Sequence, residues 1–396
     1  MYRARTRQWG REARVNTARM EHPVGLAMNG DTSAARFAAV PWRAFGDADG
    51  WDALARRAAE PNPFAERWCL APSLTAFDPA GKVRLATLTV GGTLVGLMPV
   101  ARSPRYERYP LPHVGNWLHA NAFLGAPLVA AGHEHAFWRG LFDWVDTNSG
   151  AALFLHLHAL PTDGPLYAAL RDVCAADARP AAVVHRYERA LLKSDLDPEA
   201  YFDGSMSAKK RKELRRQFNR LSDKGTVTFE RHDDADDLDR WVAEFLALEH
   251  AGWKGAEGSA MLSEALKAHF LADALAGAAA AGRLERLSIR LDGRPIAMLA
   301  NFIAAPGAFS FKTAYDESLA RFSPGVLLQR ENLALLAREG IAWTDSCAAP
   351  DHPMIERIWR EKREIARVSI AIGGRARRVA AALLFRAETR APLQGL

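Results

Sequence analysis

The chain has 396 residues, 49% of them hydrophobic and 25% charged, an ordinary globular composition long enough for two domains. Its formal charge is +6, and residues 205–224 alone hold eight Lys/Arg against two acids, so attraction to an anionic partner is a property of one segment. Three distant cysteines (Cys69, Cys174, Cys347), no CxxC and no run of 18 apolar residues exclude a disulfide framework, a structural zinc site and a membrane-spanning helix, and a reducing, cytoplasmic setting is expected.

Residues 1–36 are polar and arginine-rich, with Arg3, Arg5, Arg7, Arg11, Arg14 and Arg19 but no apolar run behind them. They read as a disordered basic extension, or as a start called too early, ahead of Met20 or Met28. Order is expected from Phe37, with a helix over 50–60 and a proline-punctuated turn over 60–72. Apolar runs at 83–90 and 93–101, joined by Gly91-Gly92, predict a hairpin. A helix at 133–148, a buried strand at 151–160, a helix after Pro165 and a strand at 181–192 follow. This alternation predicts a mixed α/β lobe over 37–185.

The stretch 186–380 repeats the theme and is expected to be a second lobe, with 381–396 as a tail. A basic helix spans 208–222, with Leu214, Phe218 and Leu221 on its apolar stripe. A strand at 226–232, an amphipathic helix at 235–253 and a long alanine-rich helix come next. Asp292-Gly293 closes a second hairpin. A strand at 308–316, a helix at 326–340, a short strand at 341–348 and a segment at 353–368 that begins as a helix complete the lobe. "GGTLVGLMPV" and "DGRPIAMLAN" occupy corresponding places in the two halves, as they would in a duplication or in any pair of βαβ lobes.

The segment 311–333, "FKTAYDESLARFSPGVLLQRENL", runs a strand into a loop and then a helix. A helix N-terminus offers unpaired N–H groups and partial positive charge to a diphosphate. Pro324 sets the helix entry, Gly325 permits close backbone approach, and Arg321 adds a full charge beside Ser323 and Val326. An ordinary helix cap has the same composition.

Four further features bear chemistry. Glu249 ends the amphipathic helix beside His250 and just before Trp253, Lys254 and Gly255. Asp316 and Asp345 each follow a strand, and Tyr315 is a phenol beside the first of them. Lys312 lies inside an apolar strand, where an unpaired charge is costly. Asp351 and His352 sit between prolines. Acyl transfer needs a base for the acceptor, donors for the developing oxyanion and an acid for the leaving group. Glu249, Asp316 and Asp345 are candidate bases and Tyr315 a candidate acid; Trp253, Lys254, Lys312 and His352 are candidate substrate contacts. Each has a plainer alternative as a surface charge, cap, turn or loop residue. His156 and His158 alternate on one strand and read as the lining of a cleft in the first lobe. No metal-binding cluster is apparent, and HExxH, GxSxG, P-loop and dinucleotide fingerprints are absent from the sequence.

The ordered run "SAKKRKELRRQFNRLSDKG", "EHAGWKGAEGSA", "DGRPIAMLANF", "FKTAYDESLARFSPGVLL" and "WTDSCAAPDHPMIERIWREKREI" resembles the GNAT acetyltransferases linked to cellulose and exopolysaccharide synthesis (the CelD/BcsL-like family). The resemblance covers roughly 201–370. The first half matches more loosely, through "NPF" at 62–64 and its hairpin. It implies an α/β (α+β) fold of tandem GNAT-like lobes, each a mixed, mostly antiparallel sheet flanked by helices, related to the Fem-type peptidyl transferases. It also implies acetyl-CoA or another acyl-CoA as donor, its pantetheine arm between two splayed strands and its diphosphate on an R/Q-x-x-G-x-G/A loop. Arg321, Gly325 and Leu327 lie where that loop falls, with altered spacing and no second glycine. The implied acceptor is an amine or hydroxyl of a sugar, nucleotide-sugar or amino acid in polysaccharide or envelope synthesis. Two alternatives are an aminoacyl-tRNA-dependent ligase, with tRNA on the basic helix 209–220, and a non-catalytic scaffold that recruits synthases through that helix.

Overall fold

A computed structural model describes residues 34–393 and 395–396; the alternative starts and residues 1–33 of the expected extension lie outside the described residues, while Ala35 and Arg36, expected to belong to that extension, open the first strand. The first half runs β1 (Ala35–Pro41), α1 (Ala48–Arg57), α2 (Arg67–Phe77), β2 (Arg84–Val90), β3 (Thr93–Ser103), β4 (His113–Asn116), β5 (Leu128–Val129), α3 (Glu134–Asn148), β6 (Phe154–Pro161), α4 (Pro165–Ala176) and β7 (Ala181–Leu192). The second runs α5 (Pro198–Ser205), α6 (Ala208–Ser222), β8 (Val227–His232), α7 (Leu238–Ala251), α8 (Trp253–Ala256), α9 (Ala265–Ala280), β9 (Leu284–Leu291), β10 (Arg294–Ala304), β11 (Gly307–Tyr315), α10 (Pro324–Asn332), β12 (Trp343–Asp345), β13 (Glu361–Ala371) and α11 (Arg375–Thr389). Both expected hairpins form, β2–β3 across Gly91-Gly92 and β9–β10 across Asp292-Gly293.

All thirteen strands form one sheet, in the order β1-β2-β3-β4-β6-β13-β7-β12-β11-β10-β9-β8, with β5 against β3. Its neighbours are antiparallel except for β4 with β6 and β11 with β12. Each parallel pair needs a crossover, and a helix supplies it: α3 for the first, α10 for the second. Helices cover both faces. In the second half α7 and α9 pack on one face with Phe302, Phe309 and Phe311, while α10 packs on the other with Leu287, Ile289 and Leu299.

Three expectations are corrected. The segment 353–368 does not begin as a helix: it forms turns that bury Ile355, Ile358 and Trp359, then enters β13. Ile365, Val368 and Ile370 fill a slot between β6 and β7 that demands an extended chain. The lobe boundary at 185/186 falls inside β7, and that at 380/381 falls inside α11, whose Ala381 and Phe385 are buried against the first half's sheet. The sheet runs unbroken through both halves.

Candidate active site

The parallel β11–β12 pair is short. Gly307, Ala308 and Phe309 align with Trp343, Thr344 and Asp345; beyond that β12 stops while β11 continues to Tyr315, so the strands part. Within the free stretch β11 carries a bulge: Ala300 pairs with Lys312 and Asn301 with Ser310, leaving Phe311 as the extra residue. A bulge re-aims the side chains that follow it. Lys312 thereby comes under α7, where Glu249 is 4% exposed.

Glu249 is the hub of this cluster. Lys254 Nζ donates to its Oε1 at 2.9 Å, the Met261 N–H donates to its Oε2 at 2.8 Å, and Lys312 Nζ lies 4.0 Å from Oε1. Burial pushes the Glu249 pKa up, but Lys312, Lys254 and these hydrogen bonds outweigh it and hold the carboxyl below its usual range. Lys312 shows the opposite balance. Burial lowers its pKa to about 8 despite Glu249, with Lys254 and Lys267 adding repulsion. The geometry thus makes Glu249 a fixed anion and gives Lys312 the proton that exchanges near neutrality.

Around this pair the expected site residues divide. A small cleft of about 30 Å³ is lined by Glu249, Trp253, Lys254, Thr313, Tyr315 and Glu317, so five sequence candidates meet there if Lys312 beneath it is included. Trp253 is 52% exposed rather than packed into the core, and its N–H donates to Glu317 Oε1 at 2.9 Å, tying α8 to the turn after β11. His352 lies within the field of Lys254. Burial lowers its pKa, and its Nδ1 is buried without a hydrogen-bond partner.

Asp316 and Asp345 lie apart. Asp316 caps its turn, accepting from the Ser318 N–H at 3.0 Å and hydroxyl at 2.6 Å, and pairs with Arg294. Asp345 is fully buried and holds Arg189 at 2.7 Å, Arg363 at 3.4 Å and the Cys347 N–H at 2.9 Å. With both oxygens engaged by cations and an amide, its chemistry is that of a buried ionic hub joining β12, β7 and β13.

The entry to α10 differs from a bare anion cradle. Pro324 has no N–H to offer, and the Val326 and Leu327 amides donate to the Ser323 carbonyl. A Cβ built on Gly325 would lie 2.3 Å from Met354 Sδ and 3.3 Å from the Tyr315 ring. The close approach that this glycine permits is therefore made by the chain's own Met354. Arg321 is exposed, its guanidinium 4.7 Å from the Phe322 ring centroid.

Two groups escape sequence reasoning. His119, from the loop after β4, stacks on Phe77 at 4.5 Å; burial, with Lys312 adding to it, lowers its pKa to about 3. On the α10 side, Asn301 Nδ2 donates to Glu285 Oε2 at 2.9 Å and to Asn332 Oδ1 at 2.7 Å, while Ser310 Oγ donates to Asn301 Oδ1 at 2.9 Å. This buried network pins the residue just before the bulge. Polar residues inside otherwise apolar strands are its trace in the sequence. Nothing local marks His119. Among the described residues no group of three or more His, Cys, Asp or Glu is placed to hold a metal ion, and no helix is long and apolar enough to cross a membrane.

Residues 208–362 match the model of a family described as an acetyltransferase (GNAT) domain, the stretch that contains the splayed strands and the Glu249–Lys312 pair. This segment is a GNAT-type domain. Solved structures share the fold across both halves. FemX is 11% identical, with a TM-score of 0.53 over 83% of this chain and 96% of its own. A protein of unknown function from Bacteroides thetaiotaomicron is also 11% identical, with a TM-score of 0.54 over 82% and 96%. The C-terminal DUF2156 domain of a protein assigned as a lysylphosphatidylglycerol synthetase, from Agrobacterium fabrum, is 15% identical, with a TM-score of 0.53 over 88% and 98%. No curated protein matches the chain. The matched family is one of acetyltransferases, so acyl transfer is the general chemistry of this segment.

Proposed function

We propose that the chain transfers an acetyl or longer acyl group from acyl-CoA to an amine or hydroxyl of a sugar, nucleotide-sugar or amino-acid acceptor. The observation that carries this reading is the opening of β11 from β12 beside a lysine whose proton is labile near neutrality. The thioester arm would lie in that opening. The acceptor nitrogen or oxygen attacks the thioester carbonyl, its proton passes to neutral Lys312, and the carbon–sulfur bond breaks. Glu249 keeps Lys312 in place, and Tyr315, at the end of the same strand and on the wall of the cleft, would return a proton to the thiolate. The diphosphate is expected beside Arg321 and Ser323 at the mouth of α10, which requires Met354 to move aside.

A second reading has an observation of its own. The basic helix α6 packs against the turn that carries Arg321, with Lys224 Nζ 5.9 Å from the Phe322 ring centroid, so a polyanionic donor such as an aminoacyl-tRNA would find one continuous positive surface. Thermal unfolding separates the two. A donor that binds the folded chain stabilises it by mass action, by about 2.7 kcal/mol at a hundredfold excess over Kd, and so raises its midpoint. Acetyl-CoA or a longer acyl-CoA should raise it, and Met354→Ala should strengthen the effect. No shift with any acyl-CoA, combined with salt-sensitive retention of tRNA that reversing Lys209, Lys210 and Arg211 abolishes, would replace the first reading with the second.

A further inference from the structure

The parallel pair in the first half, β4 with β6, has a cleft of its own. Open sheets bind ligands beyond the carboxyl ends of parallel strands. At the end of β4 a cavity of about 530 Å³ opens between the β3 turn, β4, β6 and β13. It lies on the sheet face that α11 covers further along, where Phe385 meets Phe154 at 5.7 Å.

This cavity is not a second slot for a pantetheine arm. Asn116 Nδ2 donates to the Gly125 carbonyl at 2.8 Å and to the His158 carbonyl at 2.9 Å, and the His158 N–H donates back to Asn116 Oδ1 at 2.8 Å. The Gly125 N–H donates to the Ala159 carbonyl at 2.9 Å, and a Cβ on Gly125 would lie 2.0 Å from the His158 carbonyl oxygen. The gap between the strands is thus stitched shut by residues 116–125.

The chemistry of the walls indicates a ligand. The floor is aromatic, built from Tyr106, His158 and Tyr187, with the His158 ring 4.2 Å from that of His156. Burial keeps both imidazoles neutral at pH 7, lowering His156 to about 2 and His158 to about 4. Arg102, Arg105 and Arg367 line the cavity, and Glu107, 3.6 Å from Arg367, is the one carboxylate among its lining residues. Arg102 donates to the Asn148 carbonyl and Arg367 faces Glu107, yet three guanidiniums against one carboxylate leave the walls net positive. A net positive wall above a planar, neutral floor matches an anion attached to a flat body. We infer that this cleft is a second ligand site, separate from the acyl-donor opening, which takes a small phosphorylated or carboxylated molecule with a planar ring.

Titration calorimetry on the full chain tests this, with phenyl phosphate, benzoate, inorganic phosphate and phenol as probes. The site predicts that phenyl phosphate or benzoate binds about tenfold or more tighter than either fragment probe, since it engages both the arginines and the floor. Which of the two wins tells phosphate from carboxylate. Arg105→Ala with Arg367→Ala should weaken that probe by about tenfold, a loss typical of charge-assisted hydrogen bonds, whereas Arg321→Ala should leave it unchanged. Ser103→Trp, which fills the cleft and keeps both arginines, should also abolish binding, and it decides the matter if the double variant fails to fold. No heat from any probe, affinity unchanged in the cleft variants, or a loss in Arg321→Ala instead would overturn the assignment. The acyl-CoA thermal shift is read separately, so failure here leaves the reading of the second half intact.

Discussion

Lys312 owes its properties to two opposed effects: a strand that buries it and a carboxylate 4.0 Å away. Burial prevails, so the folded chain releases this proton near pH 8, well below the ordinary lysine value of about 10.4. The neutral amine is the form that accepts a proton, so kcat/KM should climb by up to about tenfold per unit below an inflection near pH 8, then level. Lys312→Arg keeps the charge but cannot titrate, so it should remove that inflection and most of the activity. A profile with the same inflection in the arginine variant would exclude Lys312 as the base. The unfolded chain keeps this proton up to its higher pKa, so the group's contribution to stability grows as pH rises from about 8 towards 10.4. At this scale the sequence was partly legible. A lysine inside an apolar run announces itself, and Glu249 stands out beside its Gly-Trp-Lys turn. Their pairing across 63 positions was not legible, nor was the engagement of Asp345 by Arg189 and Arg363, because no periodicity records which distant side chain a carboxylate will meet.

Among the elements, β11 depends on the polar network beneath it. Glu285, Asn301, Ser310 and Asn332 are all buried, and each supplies what its neighbour lacks. Arg231 at 2.7 Å and Arg338 at 2.5 Å complete the shell of Glu285. Truncating one member leaves hydrogen-bonding groups of its neighbours unpaired in a dry interior. Asn332→Ala should therefore cost about 2–4 kcal/mol in urea unfolding, against less than about 1 kcal/mol for an exposed asparagine. It should also slow acyl transfer, because the network fixes the residue ahead of the bulge; wild-type stability in this variant would refute the network's role. Hairpins were the most legible elements, since Gly91-Gly92 and Asp292-Gly293 encode their turns within two residues. The basic helix was equally plain from its stripe. The segment leading into β13 was misread because its Ile-Glu-Arg-Ile-Trp-Arg start imitates helical spacing. Burial of Trp359 and the waiting slot between β6 and β7 decided otherwise.

For the molecule as a whole, the junction of the halves rests on Arg189, Asp345 and Arg363, three charges buried where β7, β12 and β13 meet. Removing the anion leaves buried Arg189 without a counter-ion and Arg363 with only the exposed Asp163, 3.3 Å away. Asp345→Asn should destabilise the entire chain by about 3–5 kcal/mol, in one cooperative transition rather than two. Two separate transitions by calorimetry would mean that the halves are energetically independent. The repeated order of elements was visible in the sequence; the interlocking was not, since it depends on pairings between strands almost two hundred residues apart.

The position of β13 has a consequence for how the protein is made. On the ribosome, every strand of the first half emerges well before residues 361–371, yet the middle of its sheet is finished only by that late arrival. Until then β6 and β7 present unsatisfied edges to whatever the nascent chain meets. Messages that stall late in translation should therefore yield sticky, protease-sensitive products. The first half is a frame that waits for its keystone.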